Sequence, residues 1–193
     1  PTILPYEALQ YADSVVIGEA EGVWEQLLYD FKNKKLKKAY HLKNPSLERY
    51  ISTKTKNSGK KRLFNIIPIM TTRGCPYNCD FCCVHNLFGK ELRHIPIENI
   101  VRDIEESNGK TYLFLDDNII GDPKYAKELF MAMKSLKIRW VGQASISFAT
   151  NSELIKLCAE SGCMALFFGL ETVSKSQQKK MNKLVKDSNK LEE

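Results

Sequence analysis

The segment Arg73-Gly74-Cys75-Pro76-Tyr77-Asn78-Cys79-Asp80-Phe81-Cys82-Cys83 places three cysteines at the spacing Cys-x3-Cys-x2-Cys. An apolar run of strand length, Phe64 to Thr72, leads directly into it, so we expect a tight loop at the end of a strand. Three thiolates this close in sequence can converge on one metal centre without help from distant parts of the chain. Soft sulfur ligands select zinc, copper(I) or an iron–sulfur cluster. The loop therefore predicts a metal centre whose ligands are Cys75, Cys79 and Cys82.

Two kinds of metal centre fit this loop. A four-iron cluster normally takes four thiolates, so three cysteines without an obvious fourth leave one iron open to another ligand. The alternative is a zinc-stabilised module that binds RNA through its lysine clusters, with a tetrahedral site of four ligands: Cys75, Cys79, Cys82 and His85. A simple iron–sulfur electron carrier is disfavoured by the missing fourth thiolate. Six cysteines in 193 residues, three of them in one loop, do not indicate a disulfide framework.

Apolar strands alternate with amphipathic helices downstream of the loop. The strands start near Tyr112, Ile138 and Met164, at intervals of one strand plus one crossover helix. This alternation predicts βαβ units and a parallel sheet buried on both faces, and right-handed crossovers curl such a sheet into a barrel or part of one. Pro68 in the first apolar run favours an edge strand, because proline cannot donate to a ladder. The predicted fold class is therefore α/β, with a partial parallel (β/α) barrel.

Polar residues follow each of the four predicted strands. The cysteine loop follows the first, and the other strands are followed by Asp116-Asp117-Asn118, by Gln143, Ser145 and Ser147, and by Glu171-Thr172. In α/β barrels the functional residues collect at the carboxyl ends of the strands. A zinc module has no reason to repeat polar residues at successive strand ends. The pattern therefore favours the iron–sulfur cluster over zinc.

The cysteine spacing, with the aromatic Phe81 directly before the last cysteine, resembles the signature of the radical S-adenosylmethionine (SAM) superfamily. That resemblance implies a [4Fe-4S] cluster whose open iron chelates the amino and carboxylate groups of SAM. It also implies a six-strand partial barrel, of which about four strands are present. The SAM contacts that it implies are Phe81 for the adenine, one of Asp116, Asp117 and Asn118 for the amino group, and Glu171 or else Ser145 for the ribose.

The resemblance also implies a reaction. The reduced cluster cleaves SAM to methionine and a 5′-deoxyadenosyl radical, which abstracts hydrogen from an unreactive carbon. An electron donor such as a flavodoxin or a ferredoxin is then an expected partner.

In residues 1–40 the pattern of apolar residues predicts a short helix, a buried strand at Ser14–Gly18 and an amphipathic helix at Val23–Phe31. The run Ala12–Glu21, with the pattern Gly-Glu-x-Glu, resembles the closing segment of the cobalamin-binding domain that precedes the catalytic domain in one radical SAM subfamily. This resemblance implies cobalamin as a further cofactor, with most of its site upstream. It implies methylation or rearrangement at an unactivated carbon of a small-molecule or lipid substrate. The alternative is a generic β–turn–α unit of any doubly wound sheet.

Three parts are expected in the chain. Residues 1–40 are the C-terminal tail of a cobalamin-binding-like, doubly wound α/β domain, residues 41–63 are a basic linker, and residues 64–193 are the N-terminal part of a radical SAM barrel. The chain opens on Pro1 and ends soon after a new helical segment begins. We therefore expect it to be a fragment of a longer protein.

The formal charge of +6 comes largely from two lysine-rich clusters, at 32–43 and at 54–62. Such clusters can contact phosphates, but they are more often solvated, so nucleic acid is not an expected partner. No apolar run approaches the roughly 20 residues that a membrane span needs, and no targeting pattern is present. We expect a cytoplasmic location.

Overall fold

The computed structural model describes residues 2–42, 44–48, 50, 66–107 and 109–183. The first part forms a small α/β unit with two helices and two strands: α1 (Pro5–Ala8), β1 (Val15–Gly18), α2 (Trp24–Lys32) and β2 (Ala39–Leu42). The two strands pair in parallel, with Gly18 opposite Leu42. The sequence pattern indicated β1 and α2 but not β2, so this unit extends two residues into the predicted linker. Residues 51–63 of that linker lie outside the described residues.

The longer part of the chain begins with a strand and ends with a short helix. Its strands and α-helices are, in order, β3 (Ile66–Ile69), β4 (Thr72–Arg73), α3 (Val84–Phe88), β5 (Arg93–His94), α4 (Ile97–Ser107), β6 (Thr111–Phe114), α5 (Pro123–Met133), β7 (Arg139–Ala144), α6 (Ser152–Glu160), β8 (Cys163–Phe168) and α7 (Lys175–Lys180). Two short 3₁₀ helices, Lys134–Leu136 and Ile146–Thr150, follow α5 and β7. Asp122 caps α5 by accepting hydrogen bonds from the backbone N–H groups of Lys124 and Tyr125.

Four of these strands form one parallel sheet in the order β3-β6-β7-β8. Each successive pair is parallel and is joined by a connection that contains a helix. The predicted α/β class with a parallel sheet is confirmed. Pro68 lies in β3, which is an edge strand of this sheet among the described residues, as its missing N–H donor requires.

Helices cover one face of the sheet. Trp140 in β7 is completely buried there, with its ring centroid 5.0 Å from Phe114 and 5.5 Å from Phe130. Its indole N–H donates to the Ser161 hydroxyl over 3.1 Å, which satisfies the polar atom of an otherwise apolar side chain. The residues of β7 alternate between buried and more exposed positions. The sheet is therefore less buried on its second face, among the described residues, than the apolar strands predicted.

The side chain of Asp116, which follows β6, fixes the chain where it leaves β3 for the cysteine loop. The residue is fully buried. Its Oδ1 accepts hydrogen bonds from the Thr71 hydroxyl at 2.6 Å, from the Thr72 N–H at 2.5 Å and from the Thr72 hydroxyl at 2.6 Å; the Thr71 N–H lies 3.2 Å away. Burial raises the pKa of Asp116, and these hydrogen bonds oppose that rise. One carboxylate thus joins the end of β6 to the entrance of the loop.

A buried ion-pair group joins the first unit to the strands that flank the loop. β4 and β5 pair antiparallel, with Arg73 opposite Arg93. Glu19, just after β1, places one carboxylate oxygen on each of these guanidinium groups, and Glu21 accepts a further hydrogen bond from Arg73 at 2.7 Å. The side chains of Glu19, Arg73 and Arg93 are at most 10% exposed. We call Glu19, Arg73 and Arg93 the Glu19 bridge.

Replacing Asp116 by Asn should destabilise the fold. The amide offers one acceptor oxygen and turns an N–H₂ group toward buried donors, so we expect a loss of about 1–3 kcal/mol in the free energy of unfolding. Urea titration followed by circular dichroism measures it. The control is Asp117→Asn, a neighbouring half-buried carboxylate for which we expect a change within about 0.5 kcal/mol. Equal losses in the two variants would contradict the role given to Asp116.

Candidate metal centre and cofactor site

The cysteine loop lies between β4 and α3, at the end of the chain segment that leaves the parallel sheet. Cys75, Cys79 and Cys82 are free thiols of intermediate burial, whereas Cys83 is exposed. Gly74 opens the loop with φ +93°, and a Cβ at this position would lie 2.5 Å from the Glu91 carbonyl oxygen. Only glycine tolerates both constraints. The loop thus presents three accessible thiols from a fixed starting point.

The chemistry of the donor set is that of a metal centre, because three thiols from one short loop are soft ligands for zinc or for an iron–sulfur cluster. A zinc site would need a fourth ligand, whereas a four-iron cluster held by three thiolates leaves one iron open. Burial raises the pKa of Cys75 and of Cys79, and a metal that binds thiolates would offset that rise.

The three residues that follow β6 have three different surroundings. Asp116 is committed to Thr71 and Thr72, as described above. Asn118 is 2% exposed, and its Oδ1 accepts a hydrogen bond from the Ser145 N–H at 3.0 Å.

The amide nitrogen of Asn118 is buried, and among the described residues it makes no hydrogen bond to an oxygen or nitrogen atom. It faces the Cys75 thiol instead, and a hydrogen bond from the Asn118 side chain opposes the burial that raises the pKa of this thiol. The amide is therefore placed to donate to the sulfur of a candidate metal ligand.

Asp117 is the remaining acceptor of the three. Its side chain is half-buried, and no hydrogen bond to it is found in the described part of the chain. Burial and the neighbouring Asp116 both raise the pKa of Asp117. It lies close enough to Cys75 for its charge to raise the pKa of that thiol. A carboxylate in this position is available to an ammonium group bound at the loop.

Hydroxyl groups link the end of β7 to the cysteine loop. The Ser145 and Ser147 hydroxyls are 2.6 Å apart, and the Tyr77 hydroxyl lies 3.3 Å from that of Ser147. Because Ser145 also donates its N–H to Asn118, the ends of β6 and β7 meet at the loop. The structure therefore brings Ser145 to the same place as the cysteines.

Phe81 and Glu171 are brought together by a residue that the sequence pattern did not indicate, Lys183. Its ammonium group is paired with the Glu171 carboxylate, donates to the Gly169 carbonyl, and lies 5.8 Å from the centroid of the Phe81 ring. Phe81 itself is 54% exposed. The helix-forming, lysine-rich segment that ends at Lys183 resembles a solvated surface helix in sequence, so only its position in the fold identifies it.

Two basic residues after the loop have roles away from the cysteines. Arg93 belongs to the Glu19 bridge and also donates to the Pro45 carbonyl at 2.8 Å. His94 packs on the ring of Tyr125, with centroids 4.3 Å apart.

A cavity of about 550 Å³ lies between the first unit and α3. The carboxyl ends of β1 and β2 contribute Gly18 and Leu42 to its lining, and α3 and the residue after it contribute His85 and Gly89. The Nδ1 atom of His85 is buried without a hydrogen-bond partner among the described residues. In open α/β sheets, ligands bind at this end of the strands.

No helix within the described ranges combines the length and the apolar character that a bilayer crossing requires.

Comparison with known proteins identifies the family. The model of the radical SAM superfamily matches residues 69–191. The chain is 34% identical to the bacteriochlorophyllide d C-12(1)-methyltransferase of Chlorobaculum tepidum, over 95% of this chain and 42% of that protein. It is 32% identical to the C-8(2)-methyltransferase of the same organism, over 93% of this chain and 44% of that protein. The chain thus spans less than half the length of these curated relatives.

A solved structure supports the fold. The cobalamin-dependent SAM radical enzyme OxsB, solved with aqua-cobalamin and SAM, aligns with a TM-score of 0.67 at 18% identity, over 98% of this chain and 32% of that one. The family model covers most of the chain, including the three-cysteine loop and all four polar strand ends. The chain therefore belongs to the radical SAM superfamily.

Proposed function

We propose that the protein is a radical SAM enzyme of the cobalamin-dependent methyltransferase kind. The observation that carries this proposal is the three-cysteine loop of a superfamily member, with the polar ends of β6 and β7 gathered beside it. Cys75, Cys79 and Cys82 would hold a [4Fe-4S] cluster. When bound and reduced, the cluster supplies the electron that cleaves a carbon–sulfur bond of SAM, giving methionine and a 5′-deoxyadenosyl radical.

The residues around the loop divide the binding of SAM among them. The carboxylate of Asp117 would accept hydrogen bonds from the ammonium group of the methionine moiety. The ring of Phe81 is exposed enough to pack on the adenine. Glu171, or else Ser145, would accept hydrogen bonds from the ribose hydroxyls, and Asn118 would donate its amide N–H to the Cys75 sulfur. Asp116 would act through Thr71 and Thr72, by holding the loop in place.

Cobalamin is the second cofactor that we propose. Support comes from the relatives, since OxsB was solved with cobalamin and TsrM from Kitasatospora setae was solved with cobalamin and a [4Fe-4S] cluster. The cavity at the carboxyl ends of β1 and β2 has the location that ligands take in open α/β sheets. Residues 2–42 would then be part of the cobalamin-binding unit, and they would orient it against the cluster loop through the Glu19 bridge.

The curated relatives support a substrate class. They include methyltransferases of bacteriochlorophyllide d and of a cytidylyl phosphonate, and methylases of hopanoids. We propose a small-molecule or lipid acceptor whose methylated carbon is unactivated. A flavodoxin or ferredoxin would supply the electron, and a reducing cytoplasm would suit the free cysteines.

The competing function is a Cys₃His zinc module that binds RNA. Family membership disfavours it. His85 faces the cavity beside the first unit, although it would have to join the three cysteines in such a module.

Anaerobic reconstitution with iron and sulfide tests the cluster. We expect a brown protein with about four irons per chain and an electron paramagnetic resonance (EPR) signal that changes when SAM is added to the reduced sample. Cys82→Ala should lose the cluster, because a ligand is removed. Cys83→Ala, a change at the adjacent exposed cysteine, should keep it. A colourless protein with one zinc per chain, or equal iron loss in both variants, would overturn the assignment.

Asp117→Asn tests the proposed contact with the SAM ammonium group. Losing a hydrogen bond between charged groups costs about 1.5–3 kcal/mol, so the dissociation constant for SAM should rise about 10- to 100-fold. Calorimetric titration of the reconstituted protein measures it. Asp13→Asn makes the same charge change at an exposed position in the first unit and should bind SAM like the parent protein. An unchanged dissociation constant in Asp117→Asn would sink the assignment.

A further inference from the structure

Lys183 lies against the cysteine loop, although it is far from it in sequence. After α7 the chain returns to the loop, where the Met181 carbonyl accepts a hydrogen bond from the Asp80 N–H at 3.1 Å. The Asn182 amide also donates to the Asp80 carboxylate at 2.6 Å. Because Asp80 stands between Cys79 and Cys82 in the loop, these two hydrogen bonds fix the end of α7 beside two of the three candidate ligands.

The side chain of Lys183 is held from several sides. Its ammonium group pairs with the Glu171 carboxylate and donates to the Gly169 carbonyl, both of which follow β8. The Phe81 ring lies 5.8 Å from the same nitrogen, within the range of a cation–π contact. The side chain is only 13% exposed. A long, flexible side chain is thus ordered at the point where the sheet meets the loop.

The geometry places the charge of Lys183 beside the loop. The two residues before it, Met181 and Asn182, bind Asp80, and its ammonium group lies over the ring of Phe81, which directly precedes Cys82. The two arginines at the start and end of the loop region, Arg73 and Arg93, direct their guanidinium groups to Glu19.

We propose that Lys183 is the positioning cation that sets the reduction potential of the cluster held by Cys75, Cys79 and Cys82. Reduction adds one negative charge to the cluster, and a cation fixed nearby in a partly buried site stabilises the reduced form. Glu171 tempers this effect, because its carboxylate neutralises part of the ammonium charge. This inference rests on the proposed function, since it requires the iron–sulfur cluster.

The test compares midpoint potentials by EPR-monitored redox titration of anaerobically reconstituted protein, without SAM. Lys183→Gln removes the charge and keeps an N–H donor of similar reach, so its potential should shift to more negative values. Lys183→Arg should restore a potential near that of the parent protein. Lys179→Gln makes the same charge change at an exposed position of α7 and should leave the potential unchanged. Glu171→Gln should shift it to more positive values.

The outcomes separate the inference from the proposed function. A parent protein that forms no cluster contradicts the function. A parent protein that forms the cluster, with the same potential in Lys183→Gln or with an equal shift in Lys179→Gln, overturns the role of Lys183. If Lys183→Gln loses its iron, the Glu171→Gln variant decides. The inference is then overturned if the midpoint potential of Glu171→Gln does not shift to more positive values.

Discussion

The cysteine loop depends on one buried carboxylate. The fully buried carboxylate of Asp116 accepts hydrogen bonds from the N–H and hydroxyl groups of Thr71 and Thr72. In the same turn, the Thr71 carbonyl accepts hydrogen bonds from the Ile95 N–H and from the Tyr125 hydroxyl. The start of the loop is therefore attached to the end of β6, to the segment after β5 and to α5. A metal centre with three ligands from one short loop needs such a fixed base, because the loop itself contains little regular structure.

Local patterns in the sequence predicted most of the parallel sheet and its helices. Ile100 and Ile104 are spaced for one helix face and are buried in α4, and Asp122 caps α5 as its position before a proline indicates. The short pairings could not be predicted in this way. β2 is a four-residue strand of mixed polarity, and β4 and β5 have two residues each. Such segments are strands only because of a partner that is distant in sequence.

The sequence predicted which residues make up the candidate site, but not what each of them does there. The spacing of the cysteines and the polar strand ends indicate the place and the chemistry from sequence alone. Adjacent residues such as Asp116 and Asp117 look equivalent in sequence, yet one is fully buried under hydrogen bonds and the other is half-buried with an available carboxylate. Lys183 gives no local signal, because its role comes from the return of the chain to Asp80 after α7.

The Glu19 bridge has a consequence for how the molecule comes apart. Pulling the first unit away from β4 and β5 would return the carboxylate of Glu19 and both guanidinium groups to water, which solvates them. Removing the Glu19 carboxylate alone would instead leave Arg73 and Arg93 buried with their main counter-charge gone, and leaving a buried charge unpaired costs about 3–5 kcal/mol. The contact between residues 2–42 and the strands that flank the loop therefore tolerates separation better than it tolerates the loss of one of its charges.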